Sequence, residues 1–147
     1  TPNDINLRSD MLKASLLAGL AISITKTTLP HSISYPVTMS FGVPHGLACA
    51  FTLGPVLRFN AAGKHTNWKE IPTDLGLNSI ESLDGHLREL LIETRAISRL
   101  NQLISSRQDL LAIAESAITP GRADNNPRLA SIRDVKNILD EAWSDLL

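Results

Sequence analysis

Cysteine is nearly absent from this 147-residue sequence. Cys49 stands alone, which excludes an internal disulfide and a zinc site built only from cysteine. Aromatic residues make up 4% of the chain, and β-branched strand formers are fewer than Leu and Ala, which argues against a sheet protein. No long apolar run is present: the stretch Leu16 to Ile24, broken by Ser23, is too short to span a bilayer. Polar and acidic residues precede it and no small-residue cleavage pattern follows, so it does not read as a signal peptide, and the cytoplasm is the expected location. Charge of one sign is also lacking. Fourteen Lys and Arg against 15 Asp and Glu give a net −1, without the basic excess of a nucleic-acid binder. With 43% hydrophobic residues the chain is not a disordered segment either. It opens on Thr1-Pro2 rather than Met, which suggests a processed product or a piece of something longer.

What remains is a chain rich in Leu and Ala, and it reads as all-α, a helical bundle of five to seven helices in one domain. Asn3 and Asp4 can cap a first helix whose apolar residues Leu7, Met11, Ala14, Ala18 and Ala21 recur every three or four positions. Leu12, Leu16, Leu17, Leu20 and Ile22 fill much of the rest of its circumference, so this helix is expected to be buried in a larger body. Pro36, Gly42 and Pro44 preclude one continuous helix across residues 36–44. Pro44 suits the first turn of another helix running towards Phe59, which Pro55 is expected to kink or end. A short helix is expected around Trp68 to Glu70. An amphipathic helix starts at Ser79 and is expected to continue through Ile97 and Leu100, although Gly85 weakens it. Ser106 with Asp109, and Ser131 with Asp134, mark two further helix starts.

Of four histidines, His31 and His45 form the pair of interest. They lie fourteen residues apart with Pro36, Gly42 and Pro44 between them, so two helices joined by a tight loop can bring both imidazoles to one point. Neutral imidazole suits iron(II) or zinc, and Gly46 leaves room beside His45. Two histidines at this spacing also read as capping or hydrogen-bonded residues, and a catalytic metal site usually needs three protein ligands. His65 reads as an exposed loop residue and His86 as part of a solvated helix face. Trp68 and Trp143 read as core or interface residues, and Arg128 as a tie between the last helix and the body, or else as a residue reaching the nucleotide side of a larger protein, the first being favoured.

The text around the histidines goes further. Pro44-His45-Gly46-Leu47-Ala48-Cys49-Ala50, followed by Leu53-Gly54-Pro55-Val56-Leu57-Arg58-Phe59-Asn60, closely resembles the P-H-G-x-A-N-A and L-L-P-x-V-x-x-Y-N segments of the iron-containing alcohol dehydrogenases. Met11 to Ala21 resembles the family's M-x-x-A-S-x-x-A-G-x-A helix, and Asn126-Pro127-Arg128 with Asp134 its N-P-R closing segment. The resemblance covers most of the chain and is weakest between residues 61 and 120.

This resemblance implies a partial C-terminal, metal-binding helical domain over residues 1–147, of the dehydroquinate synthase-like kind, without the family's N-terminal nucleotide-binding domain. His31 and His45 would be two of four metal ligands, an Asp and a third His lying upstream. The implied cofactors are iron(II) or zinc, and NAD(P) held by the other domain; no G-x-G-x-x-G loop occurs here. The implied reaction is reversible hydride transfer between a small alcohol and an aldehyde, and the chain by itself is expected not to catalyse it. Two residues depart from the family pattern: Tyr35 stands where an active-site histidine is common, and Cys49 replaces an Asn. Tyr35 is a candidate to hydrogen-bond substrate or water, or else a core tyrosine with a satisfied hydroxyl. Lys26, among Thr25, Thr27 and Thr28, is a candidate for an anionic substrate group, and also reads as a solvated cation at a helix C-terminus. The text Thr25-Lys26-Thr27-Thr28-Leu29-Pro30-His31 is similar to the branch of the family that reduces phosphonoacetaldehyde. A second reading is a non-catalytic helical interaction module that keeps the fold without the chemistry. No nucleic acid or membrane partner is expected, and self-association is, through apolar surface that missing helices would otherwise cover.

Overall fold

The computed structural model describes residues 2–63 and 70–147. Among them are nine α-helices and no strand: α1 (Ile5–Thr25), α2 (Leu29–Phe41), α3 (His45–Phe51), α4 (Leu53–Ala61), α5 (Glu70–Asp74), α6 (Ile80–Glu93), α7 (Ala96–Leu103), α8 (Arg107–Ala112) and α9 (Ile132–Ser144). Two 3₁₀ turns, Ile113–Ala117 and Ala123–Asn125, join the later helices. The count exceeds the expected five to seven because two expected helices are each broken in two. His65 and Trp68 lie outside the described residues, as does most of the short helix expected around Trp68, of which α5 begins only at Glu70.

The first break separates α3 from α4. It falls at Thr52, whose backbone (φ −102°, ψ 4°) is not helical, rather than at Pro55. Pro55 therefore sits in the first turn of α4, where its missing N–H costs no intrahelical bond. Pro36 likewise does not end α2. The helix runs through it to Gly42, which takes the left-handed conformation (φ 66°) that glycine adopts without a Cβ clash. Burial of Ile33, Pro36 and Val37 in the core offsets the proline's cost, about 3 kcal/mol in an exposed helix. The second break, between α6 and α7, falls at Arg95, a non-glycine residue with φ 59°.

The core is built around α2, whose Leu29, Ile33 and Val37 pack with Val43, Ala48 and Phe51 of the next segment and with Ala114 and Ala117. Val135, Ile138, Leu139 and Ala142 of α9 close the same core from the other side, the face their spacing predicts. Trp143 is half-buried against it.

Polar ties fix the remaining helices. Arg58 on α4 binds Asp84 on α6 at 2.6 Å, and Glu141 and Asp145 at the end of α9 at 2.9 Å each. Partial burial opposes the charge, but the bonds to Asp145, Asp84 and Glu141 outweigh it and hold the guanidinium pKa above its ordinary value. Gly54 is needed beside this cluster, since a Cβ there would lie 2.6 Å from an Asp84 carboxylate oxygen. Asn60 and Asn126 exchange two buried amide hydrogen bonds, 3.2 and 2.6 Å. Arg128 donates to the Phe59 carbonyl at 2.8 Å and lies over the Phe59 ring, so the N-P-R segment locks the end of α4.

Helix α1 differs from the rest. Asp4 caps it by accepting from the N–H groups of Asn6 and Leu7, as its position predicts. It has no buried residue, and Met11, Leu12 and Leu17 are 70%, 73% and 65% exposed. The expectation of a buried first helix is thus not met within this chain, because no other described helix packs along α1. No helix is long and apolar enough to cross a membrane among the described residues.

Candidate metal centre

The site forms where α2 and α3 meet. Gly42, Val43 and Pro44 turn the chain back so that His31, in the first turn of α2, faces His45, the first residue of α3, with ring centroids 5.5 Å apart. Cys49 follows His45 by four residues and so lies on the same face of α3. Its Sγ is 3.8 Å from His45 Nε2, and donor atoms of His31, His45 and Cys49 all lie within 4.8 Å of one another.

Ser34, buried on α2, stands behind His45. Its hydroxyl is 2.7 Å from the His31 carbonyl oxygen and 3.2 Å from His45 Nδ1. Among the described residues no hydrogen bond is made by either ring nitrogen of His31, which leaves both open to a ligand. Burial, then the neighbouring His45 and Arg122 charges, hold His31 below the ordinary histidine range, which keeps its ring neutral and able to bind a cation. Burial pushes the Cys49 thiol up, with the Ser34 hydroxyl acting in the opposite direction.

Lys26 lines a cleft of about 520 Å³ together with Thr25, Thr28, His31, Gly46 and Cys49. It does not continue a helix toward His31, as a helical spacing would require. Helix α1 ends at Thr25, and Lys26 turns the chain with φ 62° and ψ −167°. That backbone region belongs almost solely to glycine and costs a side-chain-bearing residue about 1–3 kcal/mol. Asn125 fastens the turn by donating to the carbonyls of Thr25 and Thr27, 2.8 and 3.1 Å away.

Tyr35 is 41% exposed rather than a core residue, and it does not line that cleft. Its ring lies 5.4 Å from the His45 ring, with the Arg122 guanidinium 4.4 Å over its face. Of the four residues singled out in the sequence, His31 and His45 converge directly, Tyr35 flanks His45, and Lys26 shares a cleft lining with His31. Ser34 and Arg122 escaped the sequence reading, and Cys49 was noted there only as a departure from the family pattern. The i, i+4 spacing of His45 and Cys49 is the signal that could have placed Cys49 at the site; Arg122 reaches the site from a distant loop and carries none. His86 is exposed on α6, 4.0 Å from Glu89 and remote from the site.

Three donors close together, two imidazoles and a thiol, fit a divalent transition metal. The chain is 29% identical to a phosphonoacetaldehyde reductase of Streptomyces viridochromogenes over 94% of its own length and 37% of that protein's. It is 28% identical to a 1,3-propanediol dehydrogenase of Citrobacter freundii (96% and 38%) and 24% identical to a lactaldehyde reductase of Escherichia coli K12 (95% and 39%). It therefore spans less than two-fifths of the length of each of these relatives. The sequence profile described as "Fe-containing alcohol dehydrogenase family, C-terminal" matches residues 1–143, and the chain belongs to that family.

Proposed function

We propose that this chain is the metal-holding part of an NAD(P)-dependent alcohol dehydrogenase that moves hydride reversibly between a small alcohol and its aldehyde. The observation that carries this reading is the approach of His31 and His45, from two helices, to 5.5 Å beside an open cleft. A divalent cation, iron(II) or zinc, supplies Lewis-acid polarisation of the substrate oxygen when bound there. His31 and His45 would hold it through neutral nitrogens, and Tyr35, exposed beside His45, orients a substrate hydroxyl or water through its phenol. NAD(P) belongs to the nucleotide-binding part of the whole protein, so residues 1–147 alone do not complete the transfer.

The substrate we propose carries an anionic group, with phosphonoacetaldehyde as the example. Lys26 supports this: it lines the same cleft as His31, on a backbone turn that disfavours any side chain and so would be relieved by glycine. The test is steady-state kinetics of the whole protein with an anionic and a neutral aldehyde. Lys26→Ala is expected to raise KM for the anionic aldehyde by about tenfold or more, the loss of one charge-assisted bond, and to leave the neutral one nearly unchanged. Lys26→Gly should do the same while raising Tm, because it also relieves the turn. Equal effects on both aldehydes would remove the anionic-substrate reading.

A further inference from the structure

We propose that Cys49 is a third metal-binding residue, which makes the site in this chain a two-nitrogen, one-sulfur set that prefers zinc to iron(II). This rests on the reading of His31 and His45 as ligands and extends it to a residue where the family's pattern has Asn.

The geometry carries the proposal. Tetrahedral zinc with bonds of roughly 2.3 Å to sulfur and 2.0–2.1 Å to nitrogen separates a sulfur from a nitrogen ligand by about 3.6 Å. Cys49 Sγ and His45 Nε2 stand 3.8 Å apart. That separation is not a by-product of pairing elsewhere, because Ser34 engages the other nitrogen of His45 and leaves Nε2 as the one facing sulfur. His31 completes the group from α2 within 4.8 Å, so its side chain has about 1 Å to close. The three donors come from two helices that the buried contacts of Ile33, Val37, Ala48 and Phe51 hold together, so the set is largely preformed.

The chemistry follows from the donor types. An Asn amide is a neutral, hard oxygen or nitrogen group, whereas a thiolate is soft and anionic and selects zinc over iron(II). When sulfur binds, its S–H proton leaves to solvent and the thiolate contributes one negative charge to the cation. Three protein ligands is also the usual protein share of a catalytic zinc site.

Cobalt(II) absorption of the 147-residue chain tests this without any turnover. Bound cobalt is expected to show a sulfur-to-metal charge-transfer band in the near ultraviolet together with visible ligand-field bands. In Cys49→Ser and Cys49→Asn the first is lost while the second remains. Zinc competition against a chromophoric chelator should show weaker binding in both variants, by about 10–100-fold, with a smaller change for iron(II) measured anaerobically. Ligand-field bands without a charge-transfer band in the unmodified chain would overturn the role of Cys49 and leave the histidine pair standing. No cobalt binding at all, or binding unchanged in a His31→Ala, His45→Ala chain, would overturn the histidine pair, and this proposal with it.

Discussion

The Ser34 hydroxyl has one proton, and the His31 carbonyl oxygen 2.7 Å away can only accept it. Ser34 Oγ must therefore accept from His45 Nδ1 at 3.2 Å, which places the imidazole proton on Nδ1 and the free lone pair on Nε2, toward Cys49. One buried serine thus selects the tautomer of His45 and ties it to the backbone of the helix that carries His31. Outer-shell partners of this kind are worth about 10–100-fold in metal affinity. Ser34→Ala is expected to weaken zinc binding to the chain within that range while the far-ultraviolet circular dichroism stays unchanged. Ser34→Thr, which keeps the hydroxyl, should recover part of the loss. Affinity unchanged in Ser34→Ala would mean that His45 orientation is set by packing alone. The histidines themselves were legible in the sequence because Gly42 and Pro44 mark the turn between them. Ser34 was not, since a serine three residues after a histidine carries no signal until the neighbouring helix is in place.

Among the elements, α9 shows how local sequence and tertiary packing agree. Ser131 and Asp134 form a reciprocal cap, the Ser131 hydroxyl accepting from the Asp134 N–H at 3.2 Å and the Asp134 carboxylate accepting from the Ser131 N–H at 2.9 Å. The Ser131 hydroxyl and N–H hold the Asp134 carboxyl below the usual aspartate range. A carboxyl whose pKa is lowered by folding stabilises the folded state above its unfolded pKa, and that contribution fades as pH falls through the lower folded value. Asp134→Ala is therefore expected to destabilise the chain by about 1 kcal/mol at neutral pH, with the difference from the unmodified chain narrowing in acid. Urea unfolding at several pH values checks this, and a difference that stays constant down to acid would show that the carboxylate charge plays no part. The start and buried face of α9 were readable because cap and periodicity both lie within one helix. The breaks at Thr52 and Arg95 were not, because neither residue type interrupts a helix by itself. Packing does so: at Thr52 the chain turns so that α3 serves the metal site and α4 meets α6 and α9.

At the scale of the whole molecule the unresolved tension is α1. Most of a helix's stability in a protein comes from packing an apolar face, and α1 buries no residue in this chain. Leu12, Leu16 and Leu20 follow one another at single-turn spacing and are 73%, 63% and 54% exposed, so they form a continuous apolar stripe. A stripe of this kind, exposed on an otherwise closed core, favours association. The relatives are more than twice the length of this chain. For the 147-residue chain alone we expect a second copy to cover the stripe, α1 against α1. Sedimentation equilibrium should then give a mass above that of one chain, falling to one chain in a Leu12→Glu, Leu16→Glu variant. Amide exchange in α1 should become faster in that variant, because the helix loses its only packing, while exchange in α2 and α9 stays slow on their own core. A strictly monomeric chain at high concentration would sink the expectation, and slow exchange in α1 of such a monomer would mean that the helix folds back on the body. The metal site gives an independent check. His31 and His45 lie on α2 and α3, whose core does not involve α1, so the charged variant should retain zinc binding.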